Sequence, residues 1–349
     1  MMLVFYIILF CSLFFGLSVK RSGFYDDFLG RKQTDAVKGL FIGMVFLSHA
    51  LLDVASSGFT TSGVLDMAGY RLRADLGQLI IVPFLFYSGY GVMEAIREKG
   101  RAYLNSFPRR RLLNTLLNFD VAVLVFICLN LLMGISMELK QVAWSLIGWK
   151  SVGNSNWYIF VILLCYLASW ISGMVFREGG WKVLALTTML VLAAEAGLSF
   201  LKHGQPWWYN TMLCYPAGMC ISLVKDKFTS FVQHYYGLVL GLLAAVFLFL
   251  HFQKWIPALR GLTFNAKSIV FMLFIVIVTM KVKTGNRFLF WAGACVFPIY
   301  IYQRLPMRAF RHWAGDAWVC ANPYLFLLFC MFITGIIACL YQHWHVKLK

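Results

Sequence analysis

About eleven apolar runs follow one another along this chain, with only short polar loops between them. They fall at 2–19, 36–55, 76–96, 115–135, 156–176, 182–200, 207–224, 232–252, 267–282, 287–305 and 322–342. Crossing the hydrocarbon core of a bilayer takes about 20 such residues in a helix. Lipid offers no hydrogen bonds, so a spanning backbone must satisfy its own, and helices are the form open to runs of this kind. The expected fold class is therefore all-α, a polytopic transmembrane bundle of about 10–11 helices. Only 13% of the 349 residues are charged, against about 25% in soluble domains. No stretch is long and polar enough to fold by itself. One integral-membrane domain over 1–349 is expected, with 1–30 an additional N-terminal helix and loop and 31–345 the core. The first run lacks a basic leader and a small-residue cleavage site, so it reads as a retained helix rather than a signal peptide.

The net charge is +17. On a soluble protein that would point to nucleic acid. Here the cations sit in short loops, as the positive-inside rule requires, and nucleic acid is not expected as a partner. Alternate loops carry roughly 19 Lys and Arg against roughly 11 in the opposite set. This orients the N-terminus outside and the C-terminus in the cytoplasm of a bacterial inner membrane, with membrane lipids as neighbours. The nine cysteines lie almost entirely within apolar runs and none forms a C-x-x-C pair. They read as small buried hydrophobes. No metal and no permanently bound cofactor is expected, and His343 and His345 read as part of an interfacial tail.

The second run holds the informative chemistry. Ionisable residues inside a span are costly and mark function by default. Lys38 and His49 are eleven positions apart, about three turns and about 16 Å of helix, so they share one face. Lys38 lies towards the cytoplasmic end and His49 well across. A long, thin, phosphate-bearing donor such as acyl-coenzyme A fits that geometry, with its phosphates at the cation and its thioester at a histidine base. Asp53, four residues beyond His49, is placed to orient the imidazole. Against this stands a plainer reading, in which His49 is a hydrogen-bonded packing residue and Lys38 snorkels to the interface.

The residues Asp35, Lys38, Gly39 and His49 resemble the D-x-x-R-G segment and following histidine of the membrane acyltransferase-3 family, with Lys in place of Arg. A lysine still meets phosphate but lacks the planar fork of arginine. Four further motifs follow in the family's order. Phe84-Leu85-Phe86-Tyr87-Ser88-Gly89-Tyr90 resembles its F-F-x-x-S-G-[FY] element. Arg109-Arg110-Arg111-Leu112-Leu113-Asn114 resembles its R-x-x-R element, with Arg111 aligned and Asn114 in place of the second Arg. Asn156-Trp157-Tyr158 resembles its W-[FY]-[LI] helix start. Phe290-Trp291-Ala292-Gly293 through Tyr300-Ile301-Tyr302-Gln303 resembles its late tyrosine element, with Gln303 where His is frequent.

The resemblance implies a membrane O-acyltransferase. It would carry acetyl from cytoplasmic acetyl-CoA, a co-substrate, to a hydroxyl of an extracytoplasmic polysaccharide or lipid-linked sugar of the cell envelope. His49 would be the general base, with Asp53 behind it. Lys38, Asp35, Arg111, Ser88 and Tyr90 would serve the donor or the developing oxyanion. Asn156, Trp157, Trp208, Tyr209, Asn210 and Gln303 would serve the acceptor, since aromatic faces and amides suit a sugar; as a group they fit an aromatic belt equally well. The intramembrane acids Glu94, Asp120 and Glu195 fit either site or a pairing role. The alternative is a non-enzymatic transporter or flippase of glycan or lipid-linked intermediates, against which stands the lack of an inverted repeat or matching interrupted helices.

Overall fold

A computed structural model describes residues 2–60, 63–177, 179–252 and 260–347. The chain is 81% helical. In order, the helices are α1 (Met2–Cys11), α2 (Arg31–Ser56), α3 (Val64–Leu76), α4 (Val82–Phe107), α5 (Asn114–Leu132), α6 (Leu139–Leu146), α7 (Trp157–Phe176), α8 (Trp181–Leu201), α9 (Cys214–His234), α10 (Tyr236–Phe252), α11 (Arg260–Thr279), α12 (Arg287–Ala294), α13 (Val296–Tyr302), α14 (Arg304–Ala314), α15 (Asp316–Ala321) and α16 (Pro323–Trp344). Two short strands, β1 (Ser18–Val19) and β2 (Val282–Lys283), pair antiparallel, Ser18 opposite Lys283.

Six stretches of described helix are long and apolar enough to cross a membrane, or up to eight if each of two bent pairs is one span. This is fewer than the eleven apolar runs, for local reasons. The first run stops helping after ten residues in α1 and a turn, too short to cross. The run at 287–305 breaks at Cys295, where α12 gives way to α13 and α14 with a 69° bend. The runs at 207–224 and 232–252 meet at a 101° bend between α9 and α10. In the other direction, the continuous stretch Val64–Leu132 counts once but spans 69 residues, roughly 100 Å of helix against a core of about 30 Å. It is interrupted at Gly77 and Gly100, both at positive φ, and by a π turn over Pro108–Leu113. The runs at 76–96 and 115–135 are thus separate rods, α4 and α5. Together these features define a multi-pass membrane protein.

Two helix crossings organise the bundle, and each is closed by a reciprocal pair of glycines. Gly39 of α2 packs on the Leu289 carbonyl of α12, and Gly293 of α12 packs on the Asp35 carbonyl of α2. Gly89 of α4 packs on the Tyr215 carbonyl of α9, and Gly218 of α9 packs on the Phe86 carbonyl of α4. A Cβ at any of the four would fall well inside contact distance of backbone atoms. In lipid the apolar side chains gain little by leaving their neighbours, so helices associate through close backbone packing at small residues, with Cα–H groups meeting carbonyls. Three of these four glycines belong to the motifs quoted above.

The N-terminal segment is tied down at both its ends. Leu9 of α1 lies on Gly43 of α2. Asn286 caps α12, its Oδ1 accepting from the Phe288 and Leu289 amides, and its Nδ2 donates to Ser12. Lys283 pairs with Asp27.

Candidate functional site

The contacts define two ends of the bundle around α2. At its N-terminal end, Gly293 meets Asp35, Gln342 of α16 donates to Cys295 beside it, and Val346 exchanges hydrogen bonds with Asn118 near the start of α5. Lys38 and the π turn carrying Arg111 therefore lie at one end. At the other end α14 lies along α2, with Arg311 on Asp53 at 3.1 Å and Arg308 on Asn130, near the far end of α5, at 2.8 Å.

At the first end, the Lys38 ammonium lies 2.7 Å from Asp35 Oδ1, with the Arg31 guanidinium 3.7 Å from the other carboxylate oxygen. Asp35 thus holds Lys38 rather than presenting an acid to a donor phosphate. Arg111 projects from the π turn, a distortion common at functional sites. Its guanidinium is 5.9 Å from the centre of the Tyr166 ring and is flanked by Tyr103 and Tyr215. It is solvent-exposed, with these rings around its guanidinium. Ser88 faces the Tyr158 hydroxyl, whereas Tyr90 lies beside Glu94 and Arg97. Glu94 accepts from Ser222 at 2.5 Å and from Arg97 at 3.0 Å. Asp120 Oδ1 has no partner among the described residues.

At the other end, His49 is half-buried, and its Nδ1 has no hydrogen-bond partner among the described residues. Gln303 abuts the ring, and the cations Arg304 and Arg73 bear on it. Arg73, from α3, donates to the Ser48 carbonyl at 3.0 Å, which fixes it one residue from the imidazole. Gln303 is fully buried. Its amide nitrogen donates to Tyr300 at 3.1 Å, which leaves its Oε1 to face the imidazole as a loose hydrogen-bond partner. The expected support of His49 by Asp53 is not found. Asp53 Oδ1 accepts from Arg311, which also grips Asp316 through Nε and Nη2 at 2.8 and 3.1 Å. A guanidinium fork on the neighbouring helix outcompetes a neutral imidazole for a carboxylate.

The residues expected to meet an acceptor divide. Gln303 is against His49. Asn156 donates to the Gly148 carbonyl at 2.7 Å, starting α7 so that Tyr158, next to Trp157, reaches the Tyr300 ring at 5.3 Å. Trp208 is taken up elsewhere. It is buried in a cluster with Trp149 and Phe160, and the Lys202 ammonium lies over both its ring and that of Trp149, at 4.1 and 3.7 Å, a cation–π arrangement. Asn210 is buried, and Tyr209 half-buried, in the same segment. The adjacent Leu213 amide donates to Asn265 of α11, which donates in turn to Glu195 at 2.7 Å. Trp208 is thus engaged in packing, whereas the buried Oδ1 of Asn210 has no partner among the described residues.

Arg73, Arg304 and Arg308 carry no motif and were not singled out by sequence reasoning. The spacing of Arg304, Arg308 and Arg311, at i, i+4 and i+7, is the signal that could have found them, since it lays three cations on one face of one helix.

The acyltransferase domain family matches residues 31–343, nearly the whole chain. The chain belongs to the acyltransferase-3 family and is a membrane acyltransferase. No curated protein and no solved structure matches it.

Proposed function

We propose that the protein is an acyl-coenzyme A-dependent O-acyltransferase of the bacterial inner membrane, carrying acetyl from the cytoplasm to a hydroxyl of an extracytoplasmic glycan. The observation that carries this reading is the pairing of two half-buried ionisable groups, Lys38 and His49, on one face of α2, each at an opposite end of the site. The donor's phosphates meet Lys38, held by Asp35, and the exposed Arg111 among its tyrosines; arginine adds bidentate geometry to the charge. The pantetheine arm covers the roughly 16 Å to His49.

His49 then removes the proton from the acceptor hydroxyl through its unpartnered Nδ1. The oxygen attacks the thioester carbonyl, a tetrahedral oxyanion forms, and coenzyme A leaves as the thiol after taking up the proton. Gln303 steadies the imidazole, and Asp53 acts only by anchoring α14 through Arg311. Ser88 and the aromatic residues around Tyr158 and Tyr300 line the path between donor and acceptor. A transporter has no need of an imidazole held by a buried amide with its Nδ1 left unpartnered, and the family match favours transfer chemistry.

The test is His49→Gln in the purified protein, assayed for acyl transfer and for acyl-coenzyme A binding. A general base contributes about 10²–10⁴-fold, so transfer should fall at least that far with donor affinity unchanged. Normal transfer by His49→Gln would make His49 a packing residue and end this mechanism.

A further inference from the structure

Three cations stand around the acceptor end of the site, none of them in an ion pair among the described residues, although Asp53 lies near enough to act on Arg308. Arg304 makes no hydrogen bond and no ion pair among the described residues, yet bears on His49, Tyr300 and Arg308. Among the described residues Arg73 bonds only to the Ser48 carbonyl, and it stands beside Tyr6 and Tyr70. Arg308 gives Nη2 to Asn130, and its buried Nε has no partner among the described residues. The carboxylates Asp53 and Asp316 are both paired with Arg311.

Cations within a membrane protein are expensive unless paired, and guanidinium groups are suited to planar oxyanions. The surroundings are shaped for Arg308. Gly153, at φ +108°, lies under its guanidinium, and a Cβ there would stand 2.5 Å from the guanidinium carbon. Gln303, fully buried, lies between this cluster and the His49 imidazole, and its Oε1 keeps a second lone pair beyond the one facing the ring. An amide oxygen is no ligand for an anion, but it would accept a hydroxyl of the molecule that carries one.

We propose that Arg73, Arg304 and Arg308 form a binding site for an oxyanion, a carboxylate or a phosphate, beside His49. Two sources carry that chemistry: the acid group of an anionic sugar acceptor, and the phosphate of a lipid headgroup. In the first case the site selects acidic acceptors and places a nearby hydroxyl on the imidazole. The proposal rests on the reading of His49 as the acceptor-side base, and it can fail independently of that reading.

The experiment uses full-length protein in a phosphate-free polyoxyethylene detergent and follows thermal unfolding by tryptophan fluorescence. One arm adds glucose, glucuronate or glucose 6-phosphate; the other adds phosphatidylglycerol or uncharged diacylglycerol. Either the two charged sugars or the phosphatidylglycerol should stabilise the protein where its uncharged counterpart does not. Arg304→Gln or Arg73→Gln should weaken that effect about 10- to 150-fold in apparent affinity, the loss of one charge-assisted bond. Arg304→Lys should keep most of it. A sugar response assigns the anion to the acceptor, and a phosphatidylglycerol response alone assigns it to lipid. His49→Gln should leave the response intact, which separates this site from the catalytic reading. No charge-dependent response, or one unchanged in both Gln variants, overturns the proposal. So does a loss of acyl-coenzyme A affinity in Arg304→Gln, which would give the arginines to the donor.

Discussion

Adding one methyl group at Gly293 should disturb the whole site, although Gly293 touches no candidate substrate. A Cβ at this position would enter the Asp35 carbonyl of α2 by more than 1 Å beyond the 3.0 Å limit that real methyl groups respect. Both partners are helix backbone, so no side chain can rotate aside, and α2 and α12 must part by about that distance. Overpacking of this kind costs typically 1–3 kcal/mol, and a rigid obstacle belongs at the upper end. Alanine's higher helix propensity returns up to about 1 kcal/mol, which leaves a net loss of about 2 kcal/mol for Gly293→Ala. The functional effect is larger, because α2 carries both Lys38 and His49, and a 1 Å misplacement of reacting groups costs up to about 10²-fold. The measurements are the thermal unfolding midpoint in detergent and the rate of acyl transfer. Gly91→Ala is the control: it lies in α4, where a Cβ would meet nothing within 4 Å, so it should be neutral or slightly stabilising. Gly293→Ala with wild-type stability and rate, or a Gly91→Ala variant equally impaired, would refute the argument.

Two other perturbations have outcomes fixed by the same contacts. A cysteine replacing Arg110 should react with an impermeant maleimide only from the cytoplasm, and labelling from outside would reverse the orientation given by the loop charges. Lys283's hydrogen bond holds the Asp27 carboxyl below its usual range. A depressed acid stabilises the fold above its unfolded pKa of about 3.9 and loses that contribution as pH falls through the folded value. The pair is exposed, so the stabilisation is below about 1 kcal/mol. Wild type and Asp27→Asn should therefore differ slightly in unfolding midpoint at pH 7 and converge below pH 4; a constant difference at both would exclude this linkage.

The sequence by itself determined the class of fold, because apolar runs of this length have only one hydrogen-bonded form in lipid. It also determined the pairing of Lys38 and His49 on one helix face, since a single unbroken helix carries both, and periodicity within a helix does not depend on its neighbours. The order of the motifs was legible for the same reason, each lying within one element. What needed the tertiary structure was every relation between helices. Sequence spacing put Asp53 one turn from His49, but an Arg311 supplied from α14, more than 250 residues on, takes that carboxylate. Trp208 has the composition of a sugar site, yet Lys202, Trp149 and Phe160 surround it and engage it in packing. Arg73, Arg304 and Arg308 lie on two helices remote in sequence, and only the fold gathers them beside His49. Even the motif glycines changed meaning: Gly39, Gly89 and Gly293 read as marks around chemical residues, and they are the points where backbones touch. A residue's helix face follows from local geometry, whereas its partner is set by which helix packs there, and that choice is made by backbone contacts at glycines that no local pattern records.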